Sequence, residues 1–252
     1  MTDFHIVIPA RYGSSRLPAK PLRDIAGQPM VERVYRQAAS AGALSVTVAT
    51  DDERIRQAVK AFGGSAVMTS SEHPSGTDRL EEVTRLLGLA DDAIVVNVQG
   101  DEPLIPPQVI RQVAENLAAS PAAVATLCEP ILSVTDFDNP NIVKVVTDKE
   151  GLALYFSRAP IPWPRDLRQA GNPGLPENIG FYRHLGIYAY RVRELREFVR
   201  WPVAAIEAVE CLEQLRFLWQ GRRIHVAEAC APVPGGVDTE ADLARVVALL
   251  TQ

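Results

Sequence analysis

Cysteine is scarce in this 252-residue chain, and the three present, Cys128, Cys211 and Cys230, are odd in number, widely spaced and without a C-x-x-C pair. That pattern fits buried thiols in a reducing compartment better than a disulfide framework or zinc site. Long apolar runs are missing as well: no stretch approaches the roughly 18 residues of a membrane-spanning helix. The N-terminus lacks the charged-then-apolar pattern of a secretory signal, so the expected location is the cytoplasm. Positive charge is not in excess. At a net charge of −5 the chain offers no nucleic-acid surface, and an anionic ligand has to be met by local cations, which favours a small molecule. Neither the G-x-x-x-x-G-K-[ST] phosphate loop nor the G-x-G-x-x-G fingerprint occurs, which removes kinases of the phosphate-loop type and nicotinamide enzymes. Linkers, internal repeats and low-complexity runs are also lacking. With 47% apolar and 23% charged residues, the chain predicts a folded protein with one large core, or a core plus a sub-domain.

What is present begins with an apolar run at residues 4–8, stopped by Pro9, and a loop carrying Arg11, Arg16 and Lys20. Gly13, Ser14 and Ser15 between these cations let backbone N–H groups approach a ligand closely, while Pro18 and Pro21 limit the loop's freedom. A solvated basic loop is the plain alternative. Position favours an anion cradle, because a loop leaving the C-terminal end of a first strand is where open α/β sheets bind ligands.

Strand and helix then alternate. Residues 45–49, 66–68 and 93–98 read as strands, and helical spacing recurs through Val31, Val34, Tyr35 and Ala38, through Ile55, Val59 and Phe62, and through Leu80, Val83 and Leu86. Alternation with short loops predicts a mostly parallel sheet covered on both faces. The loop at 69–78 is rich in hydroxyls, so Ser75, Thr77 and Arg79 are either helix-start residues or face the base and ribose of a nucleotide. The apolar run at 93–98 leads straight into Gln99-Gly100-Asp101-Glu102. Acids at the end of a buried strand need a cation or hydrogen bonds, and magnesium takes one or two carboxylates plus phosphate oxygens and waters.

After a helix at 107–119 and a strand at 123–127 the rhythm changes. Residues 142–147 and 152–156 flank a four-residue turn, a hairpin signal, followed by a proline-laden segment at 160–176 and a strand at 184–190. We read these as an antiparallel excursion from the main sheet. A helix over 205–219 is expected to bury Ile206, Val209, Leu212, Leu215 and Leu218, with Glu213 and Gln214 beside that stripe. A late strand at 224–227 precedes the glycine-rich turn that delivers Asp238, and Thr239 with Asp242 reads as a capping box. Paired in space with Asp101, Asp238 completes a two-carboxylate metal site.

The blocks I-P-A-R-Y-G-S-S-R-L-P-A-K-P, H-P-S-G-T-D-R-L, V-N-V-Q-G-D-E-P, A-L-Y-F-S-R-A-P-I-P-W, R-H-L-G-I-Y-A-Y and P-G-G-V-D-T together resemble the 3-deoxy-manno-octulosonate cytidylyltransferases, the CMP-KDO synthetases, within the sugar nucleotidyltransferase superfamily. The resemblance runs from the first strand to the last helix. It implies a three-layer Rossmann-like α/β fold in a single domain spanning 1–252, with an inserted β-rich dimerisation and substrate sub-domain at about 130–200. It also implies cytidylyl transfer from CTP to KDO in lipopolysaccharide synthesis, dependence on Mg2+ and a homodimer. The implied roles are Lys20 and Arg16 on the α-phosphate, and Arg11, Gly13 and Ser14 on the outer phosphates. Ser75, Arg79 and Gln99 would serve the base, and Asp101 and Asp238 the metal. Arg158, His184 and Gln214 would serve the sugar acid, alongside Arg16. A cytidylyltransferase for another acidic sugar, a metal-dependent glycosyltransferase and a nucleotide-sensing protein without chemistry are the competing readings.

Overall fold

A nine-stranded sheet runs through the computed structural model, which describes residues 2–13, 16–171, 174–176 and 179–251. Its strands are β1 (His5–Pro9), then, after a small separate pair β2 (Asp24–Ile25) and β3 (Gln28–Pro29), β4 (Ser45–Thr50), β5 (Ala66–Met68), β6 (Ile94–Asn97), β7 (Val124–Pro130), β8 (Lys144–Thr147), β9 (Ala153–Ser157), β10 (Tyr182–Arg191) and β11 (Ile224–Glu228). The order across the sheet is β11-β7-β10-β6-β1-β4-β5. β6, β1, β4 and β5 are mutually parallel, as the alternation of strand and helix predicts.

Alternation along each strand divides the core into two layers. Ile6 and Ile8 of β1, Val96 of β6 and Ala189 of β10 join one apolar cluster, under the helices Met30–Ala39 and Pro107–Ala119. Val7, Val95, Tyr188 and Tyr190 join a second on the opposite face, with Leu80 and Val83 of the helix Gly76–Leu86. A third cluster packs Leu17 from the loop after β1 against Val237, Leu243 and Val246, so the C-terminal helix Glu240–Leu250 lies against the start of the chain.

The antiparallel part is more deeply embedded than the sequence suggests. β10 does not leave the main sheet; it is inserted antiparallel between β6 and β7, and the β8–β9 hairpin hangs from its N-terminal end. Lys144 of β8 is fully buried, and its Nζ donates to the carbonyls of Asn139, Ile142 and Arg158 at 2.9, 2.6 and 2.7 Å, which ties the hairpin to the chain on either side.

The predicted continuous helix at 205–219 is two short helices, Ala205–Glu210 and Leu215–Trp219. Cys211 breaks them with a left-handed backbone, φ +52°. The break follows from Glu210, which accepts from Ser157 Oγ at 2.6 Å and Arg158 N at 2.9 Å, so the first helix is pulled towards β9 and cannot continue along its axis. Val209 consequently stands exposed rather than in a buried stripe. The expectation of buried thiols holds for Cys128 alone, since Cys211 and Cys230 are exposed.

Candidate active site

The cationic loop and the two distant aspartates meet. Lys20 Nζ donates to Asp101 Oδ2 at 2.7 Å and to Asp238 Oδ1 at 2.9 Å, and Arg16 reaches the same Asp238 oxygen at 3.1 Å. Burial depresses the Lys20 ammonium, but the two carboxylates outweigh it, so its pKa stands above the ordinary lysine value and the side chain stays charged. Glycine permits this convergence at two places. A Cβ on Gly100 would lie 2.5 Å from the Pro9 carbonyl oxygen, and one on Gly236 3.1 Å from the Asp101 carbonyl oxygen. Val237 N also donates to that Asp101 carbonyl at 2.8 Å, fixing the last loop beside the end of β6.

Arg11, Gly13, Arg16, Lys20, Gln99, Asp101 and Asp238 line one cavity of about 300 Å³. Ser14, expected in the same cradle, lies outside the described residues. Arg11 is held in place, its Nη2 donating to the carbonyls of His73 and Ser75 at 2.6 and 3.3 Å. The neighbouring Tyr12 ring lies 3.4 Å beneath the Arg54 guanidinium. The Glu102 carboxyl, adjacent to Asp101, is pushed up to about 8 by desolvation and by the Asp101 charge.

Gln99 also lines a second cavity, of about 220 Å³, with His184, Gln214, Asn97, Glu213 and Tyr188 among its walls. β10 departs from regular register between Leu185 and Tyr188, and the irregularity brings Gly186 to the cavity wall, where its carbonyl accepts from Gln99 Nε2 at 3.3 Å. The break at Cys211 has the same consequence for the other wall, turning Glu213 and Gln214 into the cavity.

Burial lowers the His184 imidazole to about 3, so it is neutral at physiological pH and suited to hydroxyls rather than to a carboxylate. Thr126 Oγ1 lies 2.7 Å from the Ile187 carbonyl and 3.0 Å from His184 Nε2. Giving the single hydroxyl proton to the carbonyl leaves Thr126 to accept from Nε2–H, so the lone pair of His184 is on Nδ1. Because the folded-state pKa lies below the unfolded value of 6.5, the stability tied to neutral His184 is complete above pH 6.5 and drains away as pH falls towards 3. The His184→Gln variant is expected to lose about 1–2 kcal/mol less than the parent between pH 7 and pH 5 in urea unfolding, the ring being only partly screened from solvent. Parallel curves would place the titration elsewhere.

Three of the expected residues are engaged within the protein. Arg79 is fully buried and its guanidinium is taken by Thr69 and by Asp51, the latter at 2.7 Å, so it is a structural ion pair and has no surface for a base. Ser75 caps the helix Gly76–Leu86, with its Oγ bonded to Asp78 and Glu213 at 2.6 and 2.8 Å. Arg158 donates to the carbonyls of Glu210, Pro140 and Cys211 and lines neither cavity. Conversely, Asn97 and Glu213 were not selected from the sequence. An asparagine interrupting the run V-V-N-V was the available signal for the first, and an acid beside Gln214 for the second. Burial pushes the Glu213 carboxyl above the usual range despite hydrogen bonds from Ser75 and Thr77.

A cavity of fixed cations and two acids, opening beside one lined by amides, an imidazole and tyrosines, suits a reaction between a polyphosphate and a polyol. Known proteins share both the sequence and the fold. The cytidylyltransferase family profile matches residues 5–224. The 3-deoxy-manno-octulosonate cytidylyltransferase of Cellvibrio japonicus (strain Ueda107) is 65% identical over 250 residues, 98% of each chain. That of Vibrio vulnificus (strain CMCP6) is 60% identical over 248 residues, again 98% of each. A solved structure of CMP:2-keto-3-deoxy-manno-octonic acid synthetase complexed with CTP superimposes with a TM-score of 0.90 at 46% identity, covering 100% of this chain and 99% of that one. With agreement of this extent, the chain belongs to the cytidylyltransferase family and, within it, to the 3-deoxy-manno-octulosonate cytidylyltransferases.

Proposed function

We propose that the protein transfers the cytidylyl group of CTP to the anomeric hydroxyl of 3-deoxy-D-manno-octulosonate (KDO), giving CMP-KDO and pyrophosphate. The observation that carries this reading is the junction at Gln99, where a cavity of charged groups meets one whose hydrogen-bonding groups are mostly neutral. The hydroxyl oxygen loses its proton to water and forms a bond to the α-phosphorus, the bond from that phosphorus to the bridging oxygen breaks, and pyrophosphate departs with the electron pair. Catalysis of such a step is mainly positioning and charge neutralisation. Lys20 and Arg16 offset charge on the α-phosphate and the bridging oxygen, and Arg11 with Gly13 holds the outer phosphates. The sugar's carboxylate fits the cationic side of the junction, and its hydroxyls fit the side of His184, Glu213 and Gln214. Gln99, on both walls, orients the two substrates towards each other.

Asp101 and Asp238 suit Mg2+. They already converge on one positive charge, and among the described residues no third acid, histidine or cysteine joins them, which suits an ion that completes its shell with phosphate oxygens and water. When bound there, the ion would neutralise phosphate charge and lower the pKa of the attacking hydroxyl, so no dedicated side-chain base is needed.

Pyrophosphate release tests the assignment when CTP, UTP and ATP are each crossed with KDO, its 8-amino analogue and a sialic acid. CTP with KDO should be the fastest pair. Release from another acid alone would reassign the sugar, and hydrolysis of a nucleotide sugar without CTP would favour a glycosyltransferase.

In this reading the protein works in the cytoplasm, where CTP is available, and supplies an activated sugar for lipopolysaccharide synthesis. Among the described residues no helix is long and apolar enough to cross a membrane. The β-rich segment exposes Leu132, Leu154, Trp163 and Ile179, apolar surface that a second copy of the chain would cover in a homodimer. A monomer mass in light scattering at micromolar concentration would remove the dimer.

A further inference from the structure

One polar group in the sugar-side cavity has no role in the scheme above. Asn97 ends β6, and strand alternation places it on the same face as Val95, directly across the ladder from Tyr188. Val95 and Tyr188 both belong to the apolar cluster of that face. A valine or leucine would continue this packing, yet the position holds a carboxamide that is 4% exposed and whose Oδ1 has no hydrogen-bond partner among the described residues. On the wall formed at the broken helix, Gln214 is 8% exposed and its Nε2 is likewise unpartnered. One atom is an acceptor and the other a donor, and both side chains line the same cavity of about 220 Å³. Buried polar groups are normally paired, so an acceptor and a donor left open in one cavity mark where a ligand completes them.

We propose that Asn97 is a specificity-determining residue for the sugar acid, its Oδ1 accepting a hydrogen bond from a hydroxyl of the polyol while Gln214 Nε2 donates to a sugar oxygen. The inference rests on the reading of the second cavity as the sugar site. A hydroxyl supplies a proton to Asn97 and a lone pair to Gln214. Fluorine in its place supplies only the lone pair, and hydrogen supplies neither. Glu213, the acid on the same wall, is already held by Ser75, whereas the Asn97 Oδ1 has no partner among the described residues and is open to the substrate. The selectivity is therefore for hydroxyl donors, and it is independent of the cations that hold the phosphates.

The test compares the parent with Asn97→Leu, which removes the acceptor and restores apolar packing, using KDO and its deoxyfluoro analogues at each hydroxyl other than the anomeric one. The parent should lose roughly tenfold in kcat/KM at one analogue position, through KM. Asn97→Leu should lose about the same with KDO itself, with kcat within roughly threefold, and nothing further with that analogue. CTP affinity by calorimetry without sugar should not change. If Asn97→Leu does not fold, Asn97→Thr keeps a hydroxyl acceptor on the strand and should retain part of the analogue penalty. A folded variant with the parent's KM for KDO and the parent's analogue ratios would overturn the role of Asn97 alone. A parent that releases no pyrophosphate with CTP and KDO would instead overturn the reading on which it rests.

Discussion

Lys20→Met is expected to lower kcat by roughly two to three orders of magnitude in pyrophosphate release, the cost of removing one preorganised donor to a developing anion. The geometry makes the loss large. Lys20 is the cation on which both aspartates converge, at 2.7 and 2.9 Å, and it is the least exposed of the three side chains. Methionine retains most of the aliphatic length but leaves Asp101 and Asp238 without their shared ammonium, so Arg16 alone bridges towards Asp238. Its guanidinium is two-thirds exposed and more weakly placed. A folded Lys20→Met protein with parental turnover would remove Lys20 from the mechanism.

The second large effect concerns the acids. Asp101→Asn and Asp238→Asn are each expected to raise the magnesium concentration giving half-maximal rate by at least roughly tenfold. Calorimetric titration of the metal into the CTP-bound protein should weaken in parallel, which separates a lost ligand from a slowed step. An amide keeps the shape of each site but carries half the donor oxygens and no charge, and in each variant the other carboxylate still holds the Lys20 ammonium. Titrations that match the parent's would show that the ion is held elsewhere.

Much of this site could be read from the chain because charge requirements write themselves locally. The cradle places its cations within a few residues of a strand end, and Asp101 follows a buried strand in which an acid needs a reason. What escaped the sequence was set by distant partners. Arg79 looks like a ligand until Asp51, 28 residues earlier, is seen to neutralise it inside the protein. The helix at 205–219 has good periodicity, and only the grip of Ser157 and Arg158 on Glu210 shows why it must break. β10 reads as a strand from the β-rich run at 184–190, but its place between β6 and β7 depends on pairing that no local pattern encodes. Asn97 was visible in the letters and lost in the apolar run around it.

The contact between Lys20 and Asp238 spans 218 positions of the chain. The site is complete only once the two ends of the chain have met. Recovery of turnover during refolding therefore reports assembly of the whole molecule, from the strand beside Phe4 to the helix beside Val246, and a fragment that has kept its cradle but not Val237 and Asp238 holds cations with half of their counter-charge missing.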